Sequence, residues 1–463
     1  MIPQVYRVPA ALVSALAQGR GDGEMIRLLA SSQRSRQALL VRAVVAEASE
    51  AGHRHAAIAE AGYRLLARAE RADRAAVTAL LRYPAVGAWA IDALGALRGA
   101  APQSARVGRI TAVAAAAAVR ARIDFEIDVP VDGQDRALEL PSLGRLALPA
   151  PAPAPAPSFP PASSSVDETV AHVSCSAGTI DVSGLPGAAR FAGPYDRDDT
   201  AAAWLAVRRL AARRGPHAIC LPFDDVDPYR FPSHVDLAGH LDRREFSWWR
   251  RTFAEGWRIL VARHPIAARE VAALVTAVSP IAAAPGVRRN ASSRAAPGAV
   301  AATRPDGPLT MALALVHEVQ HIKLGALMDL MPMADEASTH LYYAPWRPDP
   351  RPLQALLQGA YAHSGVAEFW LNESAALPEG AARLDAQEQF ARWRDASGQV
   401  ADFLAGHPGL TEYGRLFATG LSTRLRALGE VALPSAALEL SHDAARTHRA
   451  RWEYDNGRNS AAG

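Results

Sequence analysis

The sequence predicts an α+β protein that is mainly α-helical, with a helical N-terminal unit, a small β-containing middle region and a second helical region around an HExxH motif. Two observations predict this class. Apolar residues recur at helical spacing toward both ends of the chain, and short alternating segments lie between them. The 463 residues are 49% hydrophobic and 21% charged, which is typical of a folded globular chain with more than one core.

Residues 1–120 are predicted to form the helical N-terminal unit. In MIRLLASSQRSRQALLVRAVV, Ile26, Leu29, Leu40 and Val44 recur at helical spacings. The same pattern continues in VTALLRYPAVGAWAIDALGAL. We therefore expect helices to dominate this part of the chain.

A β-containing region is predicted over residues 121–235. It begins at RIDFEIDVPVDG, where four apolar residues alternate with polar ones: Ile123, Phe125, Ile127 and Val129. Asp132-Gly133 has the turn chemistry of a β-hairpin. The segments HVSCSAGTIDVSG and HAICLPFD are further candidate strands.

A proline- and alanine-rich tract, residues 148–165, interrupts this region. Its proline repeats favour an extended conformation without internal hydrogen bonds, so it is predicted to be a linker. Because candidate strands lie on both sides, we expect it to interrupt one β unit.

Residues 236–463 are predicted to form a helical metal-binding domain. Four large apolar residues fall on one face of its first helix and are expected to pack in the core: Trp249, Phe253, Trp257 and Leu260. Residues 279–303 break the helical pattern with proline, glycine and small residues. We expect an irregular stretch or an edge strand there.

The next predicted helix, MALALVHEVQHIKLGALMDLMP, carries His317, Glu318 and His321 in an apolar run. Residues four apart lie on the same face of a helix, so both imidazoles can reach one metal ion. This is the HExxH spacing of metal-binding helices. Burying these groups without partners would be costly, and metal ligation removes that cost.

A third protein ligand is expected on the later helical run PLQALLQGAYAHSGVAEFWLNES. His363 would complete a three-histidine site, whereas Glu368 would complete a His2Glu zinc site or the 2-His-1-carboxylate set of non-haem iron enzymes. We place His363 first, since it shares a helix face with Gly359, a gap through which a metal on another helix could be approached. Glu368 is the main alternative, and His340 and Glu373 also stay open.

Two arginines lie between these helices in HLYYAPWRPDPRP, where four prolines exclude a helix. A guanidinium group binds a carboxylate through two parallel hydrogen bonds. Arg347 and Arg351 are therefore candidates for holding an acidic cosubstrate near the metal. The alternative is a surface loop held by salt bridges.

Other features exclude some classes of protein. The net charge is +3 and no basic stripe with interleaved aromatic residues is present, so nucleic-acid binding is not expected. Neither a signal peptide nor a membrane-spanning apolar run is recognisable, so we expect a cytoplasmic protein. Cys175 and Cys220 lack the spacing of a metal site and are expected to be buried thiols.

Several blocks resemble, in order, the HExxH-motif peptide-modification proteins of bacterial natural-product clusters, a family of α-ketoglutarate-dependent peptide β-hydroxylases. The blocks cover nearly the full length: RVPAALVSALAQGRGD, RLLASSQRSRQALLVRAV, RIDFEIDVPVDG, FDDVDPYRF, WWRRTFAEGWRILVARHP, LVHEVQHIKLGALMDL and YYAPWRPDPRPLQALLQGAYAHSGVAEFW. So many ordered blocks are more specific than HExxH alone. The Pro-Ala tract departs from the family pattern and resembles an insertion.

The resemblance implies a dioxygenase that uses Fe(II), α-ketoglutarate (2-oxoglutarate) and O₂ to hydroxylate the β-carbon of a residue in a ribosomally synthesised precursor peptide (RiPP biosynthesis). His317 and His321 would be iron ligands, and the AYAHSGVAEFW block would supply the third. Glu318 would be a site residue that need not act as a peptidase base. Arg347 or Arg351 would bind the distal carboxylate of α-ketoglutarate.

Two functions of other classes stay open. HExxH with Glu318 as general base is also the motif of zinc metallopeptidases, and a non-catalytic peptide-binding scaffold is the third possibility. For the hydroxylase, VRRNASSRAAPGAV would present an edge strand to an extended peptide. Arg288, Arg289 and Arg294 would then attract acidic residues of its leader. The sequence predicts neither the peptide, nor the modified residue, nor the oligomeric state.

Overall fold

A computed structural model describes residues 6–20, 23–131, 137–147, 169–184, 189–193, 195–199, 203–232, 234–282, 286–335 and 340–457. The protein is 58% helical, and these ranges contain thirteen α-helices and several small sheets. The predicted class, mainly helical α+β, is confirmed. The predicted linker, 148–165, and the predicted turn at Asp132-Gly133 lie outside the described residues.

Six helices form most of the first 120 residues, as expected: α1 (Ala10–Ala17), α2 (Gly23–Glu50), α3 (Ala56–Ala72), α4 (Arg74–Leu81), α5 (Pro84–Arg98) and α6 (Ile110–Arg120). The alanine-rich α6 is buried from Ile110 to Val119. Alanine combines the highest helix propensity with a small side chain, so neighbouring elements can approach this helix from all sides. The side chain of Asp73 accepts a hydrogen bond from the N–H of Ala76 and begins α4.

Seven strands form two antiparallel sheets. They are β1 (Phe125–Val131), β2 (Ala137–Leu140), β3 (Gly144–Ala147), β4 (Thr169–Ser176), β5 (Thr179–Ser183), β6 (Ala189–Ala192) and β7 (Trp204–Ala206). The strand orders are β1-β4-β5-β6 and β2-β3-β7. β1 pairs with β4, so strands before and after the 148–165 tract belong to one sheet.

The predicted hairpin after β1 is wrong, because β1 pairs with β4 and β2 pairs with β3. The register places Ile127 beside Val173 and Phe125 beside Cys175, all of them buried. Apolar cross-strand pairs of this kind stabilise a sheet, and a local turn signal does not reveal them.

The main sheet has five strands in the order β11-β12-β10-β9-β8. They are β8 (Arg208–Arg214), β9 (His217–Phe223), β10 (Ala277–Pro280), β11 (Asn290–Ala291) and β12 (Ala299–Ala302). β9, β10 and β12 run parallel, and the two outer strands are antiparallel to their neighbours. The edge strand expected within residues 279–303 is therefore present as β11.

Seven helices follow β9: α7 (Arg243–Arg263), α8 (Pro265–Leu274), α9 (Pro308–Met328), α10 (Leu353–Ala376), α11 (Ala381–Ala405), α12 (Glu412–Gly429) and α13 (Ser435–Gly457). The predicted apolar face of α7 is confirmed, since Trp249, Phe253, Trp257 and Leu260 are at most 1% exposed. The described residues 340–352, which precede α10, contain a short ladder of β13 (Leu341–Tyr342) and β14 (Arg351–Pro352). These thirteen residues form no helix, as their prolines predicted.

The cores do not follow the chain order. One core joins the main sheet and α7–α12 with Val13 and Leu16 of α1 and Leu29 of α2. A second core holds the other N-terminal helices and the small sheets. The start of the chain thus packs on the C-terminal region, and the boundaries 1–120, 121–235 and 236–463 stay a prediction.

The FDDVDPYRF segment connects the N-terminal helices to the main sheet. Asp224 and Asp227 are at most 3% exposed. The hydroxyl of Tyr83 donates to Asp224, and the guanidinium of Arg109 donates to both oxygens of Asp227 at 2.7 Å. Because buried charges are costly unless paired, these contacts fix how the two parts pack.

The two cysteines differ in environment. Cys175 is buried as expected, but the expectation is wrong for Cys220, which is exposed. Cys220 lies on β9 between the buried residues Ile219 and Leu221, and the alternation of a strand turns it outward. None of the described helices has the length and apolar character needed to cross a membrane.

Candidate metal centre

The HExxH residues lie in the middle of α9. This helix starts at Pro308, a residue suited to a first helical turn. The Nε2 atoms of His317 and His321 are 3.2 Å apart, and the two ring centres are 4.8 Å apart. Two nitrogens that bind one metal at about 2.0–2.1 Å lie about 3.0–3.4 Å from each other. The pair therefore has the spacing of two ligands of one ion.

Gln358 on α10 orients His321. Its amide oxygen lies 3.1 Å from Nδ1 of His321, and its amide nitrogen donates to the sulfur of Met328 at 3.0 Å. Since the amide oxygen only accepts, Nδ1 of His321 carries the hydrogen. Nε2 of His321 then keeps its lone pair, which is the form of imidazole that binds a metal.

His363 on α10 is the third imidazole of the cluster. Its Nδ1 donates to the carbonyl oxygen of Gly359 at 2.9 Å, so its Nε2 also keeps its lone pair. Its ring centre is 4.9 Å from that of His317. The ring is also flanked by Trp346 and Trp393, with centres at 4.7 Å in both cases. The structure thus brings together the three histidines that the sequence proposed.

The role expected for Gly359 is wrong. The space beside it is filled by an indole, because a Cβ there would lie 2.4 Å from Cζ2 of Trp346. That indole stacks on the ring of His363 with 18° between the planes. Glycine at 359 therefore lets Trp346 approach the helix and orient His363.

Two of the histidines are held in the neutral form. Burial lowers the pKa of His317 well below its usual value, and the neighbouring His321 and His363 lower it further. Burial also lowers the pKa of His363 to about 3, although its hydrogen bond to Gly359 acts in the opposite direction. A neutral imidazole is the species that ligates a metal.

The cluster is not a complete ligand set. Among the residues with described positions, no three His, Cys, Asp or Glu side chains place their donor atoms for one ion. The Nε2 atoms of His317 and His321 are at ligand spacing. The ring of His363 would have to turn before its Nε2 could bind the same ion. The donor chemistry fits a metal, since His321 and His363 each use Nδ1 on an oxygen and keep Nε2 available.

Glu318 lies beside the histidines and is only 1% exposed. Its Oε2 accepts a hydrogen bond of 2.7 Å from the hydroxyl of Ser292, the residue that follows β11. Its Oε1 is 3.9 Å from Nε2 of His317. Burial raises the pKa of Glu318, and His321 and Ser292 oppose that rise. A carboxyl group in this state can exchange a proton in the site.

A cavity of about 730 Å³ lies in front of the cluster. The three histidines and Glu318 lie in its wall, together with Arg347 and Arg351 of the loop before α10. A cavity of this size accommodates a small organic ligand.

The two arginines share one carboxylate. Nε of Arg347 is 2.8 Å from Oδ1 of Asp349, and a terminal nitrogen of Arg351 is 3.0 Å from Oδ2. Their side chains are 48% and 37% exposed. Exposed ion pairs are weak, so a carboxylate from solution can compete with Asp349. The two arginines therefore line the cavity, as expected, and they also form the surface salt bridges that the alternative predicted.

The other candidate ligands have partners elsewhere. Glu368 accepts a hydrogen bond of 2.9 Å from Arg424 of α12. Glu373 lies 2.8 Å from Nε2 of His264. Neither carboxylate lines the histidine cavity, and neither does His340. Of the four candidates for the third ligand, all of them described, only His363 lies beside the HExxH histidines and lines their cavity.

Two of the three arginines expected to attract a leader peptide pair with carboxylates in the structure. Arg288 pairs with Asp306 at 2.6 Å, and Arg294 pairs with Asp329 at 2.6 Å. The backbone N–H of Arg289 donates to Thr303. Arg294 lines the cavity, and it differs from Arg347 and Arg351 because its partner Asp329 is buried, with 8% of the side chain exposed.

Sequence reasoning missed the residues that orient the site. Gln358 is a polar residue in an apolar helical run, which is a weak signal for a buried contact. Ser292 and Trp346 lie in irregular segments, and Trp393 is on a different helix, α11. No local pattern connects these residues with the HExxH helix.

Comparisons of the chain with protein-family models and with curated proteins find no match. The geometry of the cluster and the ordered sequence blocks are therefore what indicates a function for this protein.

Proposed function

We propose that the protein is an Fe(II)- and α-ketoglutarate-dependent dioxygenase that hydroxylates the β-carbon of a residue in a ribosomally synthesised precursor peptide. The observation that carries this proposal is the meeting of three imidazoles in the wall of a cavity that two arginines also line. The resemblance of the ordered sequence blocks to the HExxH peptide-modification proteins supports the reaction class.

His317, His321 and His363 would hold the iron. Imidazole nitrogen is a suitable ligand for Fe(II). Gln358 and the Gly359 carbonyl would keep two of the rings in the ligating tautomer, as the outer contacts of metal-bound histidines do. When bound, the iron with α-ketoglutarate and O₂ supplies the oxidation that converts C–H to C–OH, with succinate and CO₂ as the other products.

Arg347 and Arg351 would bind the distal carboxylate of α-ketoglutarate. Both already donate to a carboxylate, that of Asp349, which shows that their guanidinium groups can converge on one anion. The cosubstrate would replace Asp349 as the acceptor. This exchange would bring the ketoacid to the same cavity as the histidines.

The peptide would lie along the edge strand β11. An extended peptide can pair with the outer edge of such a strand. Ser292 follows this strand and donates to Glu318, so the edge and the metal helix are connected by one hydrogen bond. Through this hydrogen bond, a peptide bound at the edge would affect Glu318, while the histidines hold the metal.

The proposal is tested with purified protein, Fe(II), α-ketoglutarate and the precursor peptide encoded beside its gene. A mass gain of about 16 Da on the peptide with matching release of succinate supports hydroxylation. Two peptide fragments without succinate would contradict it. His317→Ala should abolish the mass gain, whereas a scaffold would keep its effect in the pathway after this change.

A zinc metallopeptidase is the second candidate, and the position of Glu318 favours it. This carboxyl is buried in the cavity wall, 3.9 Å from a candidate ligand nitrogen, where a peptidase base would lie. Glu318→Gln separates the two functions. Loss of a general base costs about 10²–10⁴-fold in rate, and that loss is expected for the peptidase only. The hydroxylase should keep its metal and change by much less.

A further inference from the structure

A second cavity, of about 380 Å³, lies where three parts of the chain meet. Ala76 of α4 and the end of α6 form one side, Ser142 and Leu143 after β2 form another, and Arg209 of β8 forms the third. It shares no lining residue with the histidine cavity. Junctions between structural units are common places for ligand sites.

The lining of this junction cavity is positively charged. It contains the three guanidinium groups of Arg120, Arg122 and Arg209 and the single carboxylate of Asp196. Arg209 is partly buried, and it forms no hydrogen bond or ion pair with any residue that the structure describes. A half-buried charge of this kind normally has a partner.

Arg120 is held in place beside Arg209. Its Nε donates to the hydroxyl of Ser142, and one terminal nitrogen donates to the carbonyl of the same residue, both at 2.9 Å. The other terminal nitrogen donates to no residue that the structure describes. Burial and the charge of Arg209 together lower the pKa of Arg120 to about 10, and the nearby Tyr83 acts in the opposite direction. Arg120 is therefore still charged at neutral pH, and the two guanidinium groups repel each other across the cavity.

We propose that the junction cavity binds an oxyanion, a carboxylate or a phosphate group, between Arg120 and Arg209. Two oxygens on one group would accept from both guanidinium groups, which bind such planar pairs of acceptors well. The bound charge would also remove the repulsion between the arginines. The positive charges of the same arginines repel a cation. The hydroxyl of Tyr195, which also lines the cavity, already donates to the carbonyl of Gly178.

Calorimetric titration of the full chain tests this site, with inorganic phosphate and with N-acetylglutamate amide as separate probes at constant ionic strength. Arg209→Gln should weaken binding of the preferred probe by about tenfold or more, the value of a hydrogen bond to a charged group. Arg213→Gln is the matched control, because Arg213 is an exposed residue on the same face of β8 outside the cavity. It should leave the affinity unchanged.

The preferred probe identifies the source of the anion, a phosphate or a side-chain carboxylate. The proposal is overturned if neither probe binds the wild type, or if the two variants bind equally well. Thermal unfolding without anion provides a second measurement. Removing a repelling charge should leave the melting temperature of Arg209→Gln equal to or above that of the wild type, and a lower value would mean that Arg209 has a structural partner instead.

Discussion

The amide oxygen of Gln358 lies 3.1 Å from Nδ1 of His321, and this contact joins α10 to the HExxH helix. The same amide is fixed at its other end by Met328 of α9. One side chain therefore sets the hydrogen position of a candidate metal ligand from a helix that also carries His363. The arrangement gives α10 two roles, to supply one imidazole and to orient another.

Gln358→Leu should weaken metal affinity by about 10–100-fold, the usual effect of losing an outer contact to a ligating histidine. The reason is that Nδ1 of His321 would lose its acceptor and the ring its orientation. Gln354→Leu is the control, since Gln354 lines the same cavity one helical turn earlier without a hydrogen bond to any described histidine. Equal affinities of the two variants in a metal titration would contradict this role of Gln358.

Gly359→Ala should destabilise the fold by about 1–3 kcal/mol, because the new methyl group would overpack against Trp346. It should also lower metal affinity by displacing the indole from His363. Gly95→Ala is the matched helical control, since a Cβ at residue 95 would meet no atom within 4 Å. That change should stabilise the protein by up to about 1 kcal/mol. Urea unfolding measures both, and a neutral Gly359→Ala would mean that Trp346 is free to move.

Arg347→Gln and Arg351→Gln should raise the KM for α-ketoglutarate, by about tenfold or more for the arginine that binds its distal carboxylate. The kcat should change less, since the contact is made with the bound ketoacid before and during reaction. Arg294→Gln serves as control, because Arg294 lines the cavity but is paired with Asp329. An equal rise in KM in all three variants would show a general effect of charge instead of a specific site.

The stability of the fold should fall in mildly alkaline solution through His240. Burial lowers the pKa of this ring, but its hydrogen bonds to Asp198 and Asp225 raise it more, to about 9 from the usual 6.5. Because the folded pKa is the higher one, the stabilising contribution is complete below about pH 6.5 and is lost as the pH rises through about 9.

His240→Gln isolates this contribution. The difference in unfolding free energy between wild type and variant should shrink steadily from about pH 6.5 to about pH 9. A difference that is constant over this range would show that the ring does not titrate there. Other groups cancel in the comparison, since both proteins contain them.

The parts of the fold that depend on local periodicity followed from the sequence. The buried face of α7 and the alternation of β1 are set by neighbouring residues on one element, so spacing alone reveals them. The partner of β1 did not follow, because β4 lies beyond a long tract and the choice depends on which apolar residues meet across strands.

The site divides in the same way. His317 and His321 are related by one helical turn, a distance that sequence numbering contains. The position of His363 depends on how α10 packs on α9, which spacing does not reveal. For that reason Glu368 stayed the main alternative to His363, and the structure pairs it with Arg424. The position of Trp346 does not follow from the sequence, because Gly359 suggests an open space beside its helix. In the structure, the indole of Trp346 fills that space.

The most direct test is the affinity for Fe(II), measured without oxygen by calorimetry, of the wild type beside His363→Ala and His340→Ala. If His317, His321 and His363 grip one ion, the wild type binds one equivalent, His363→Ala loses about two orders of magnitude or more in affinity, and His340→Ala binds as the wild type does. An undiminished affinity in His363→Ala would contradict the three-imidazole centre on which the proposed oxygenase depends.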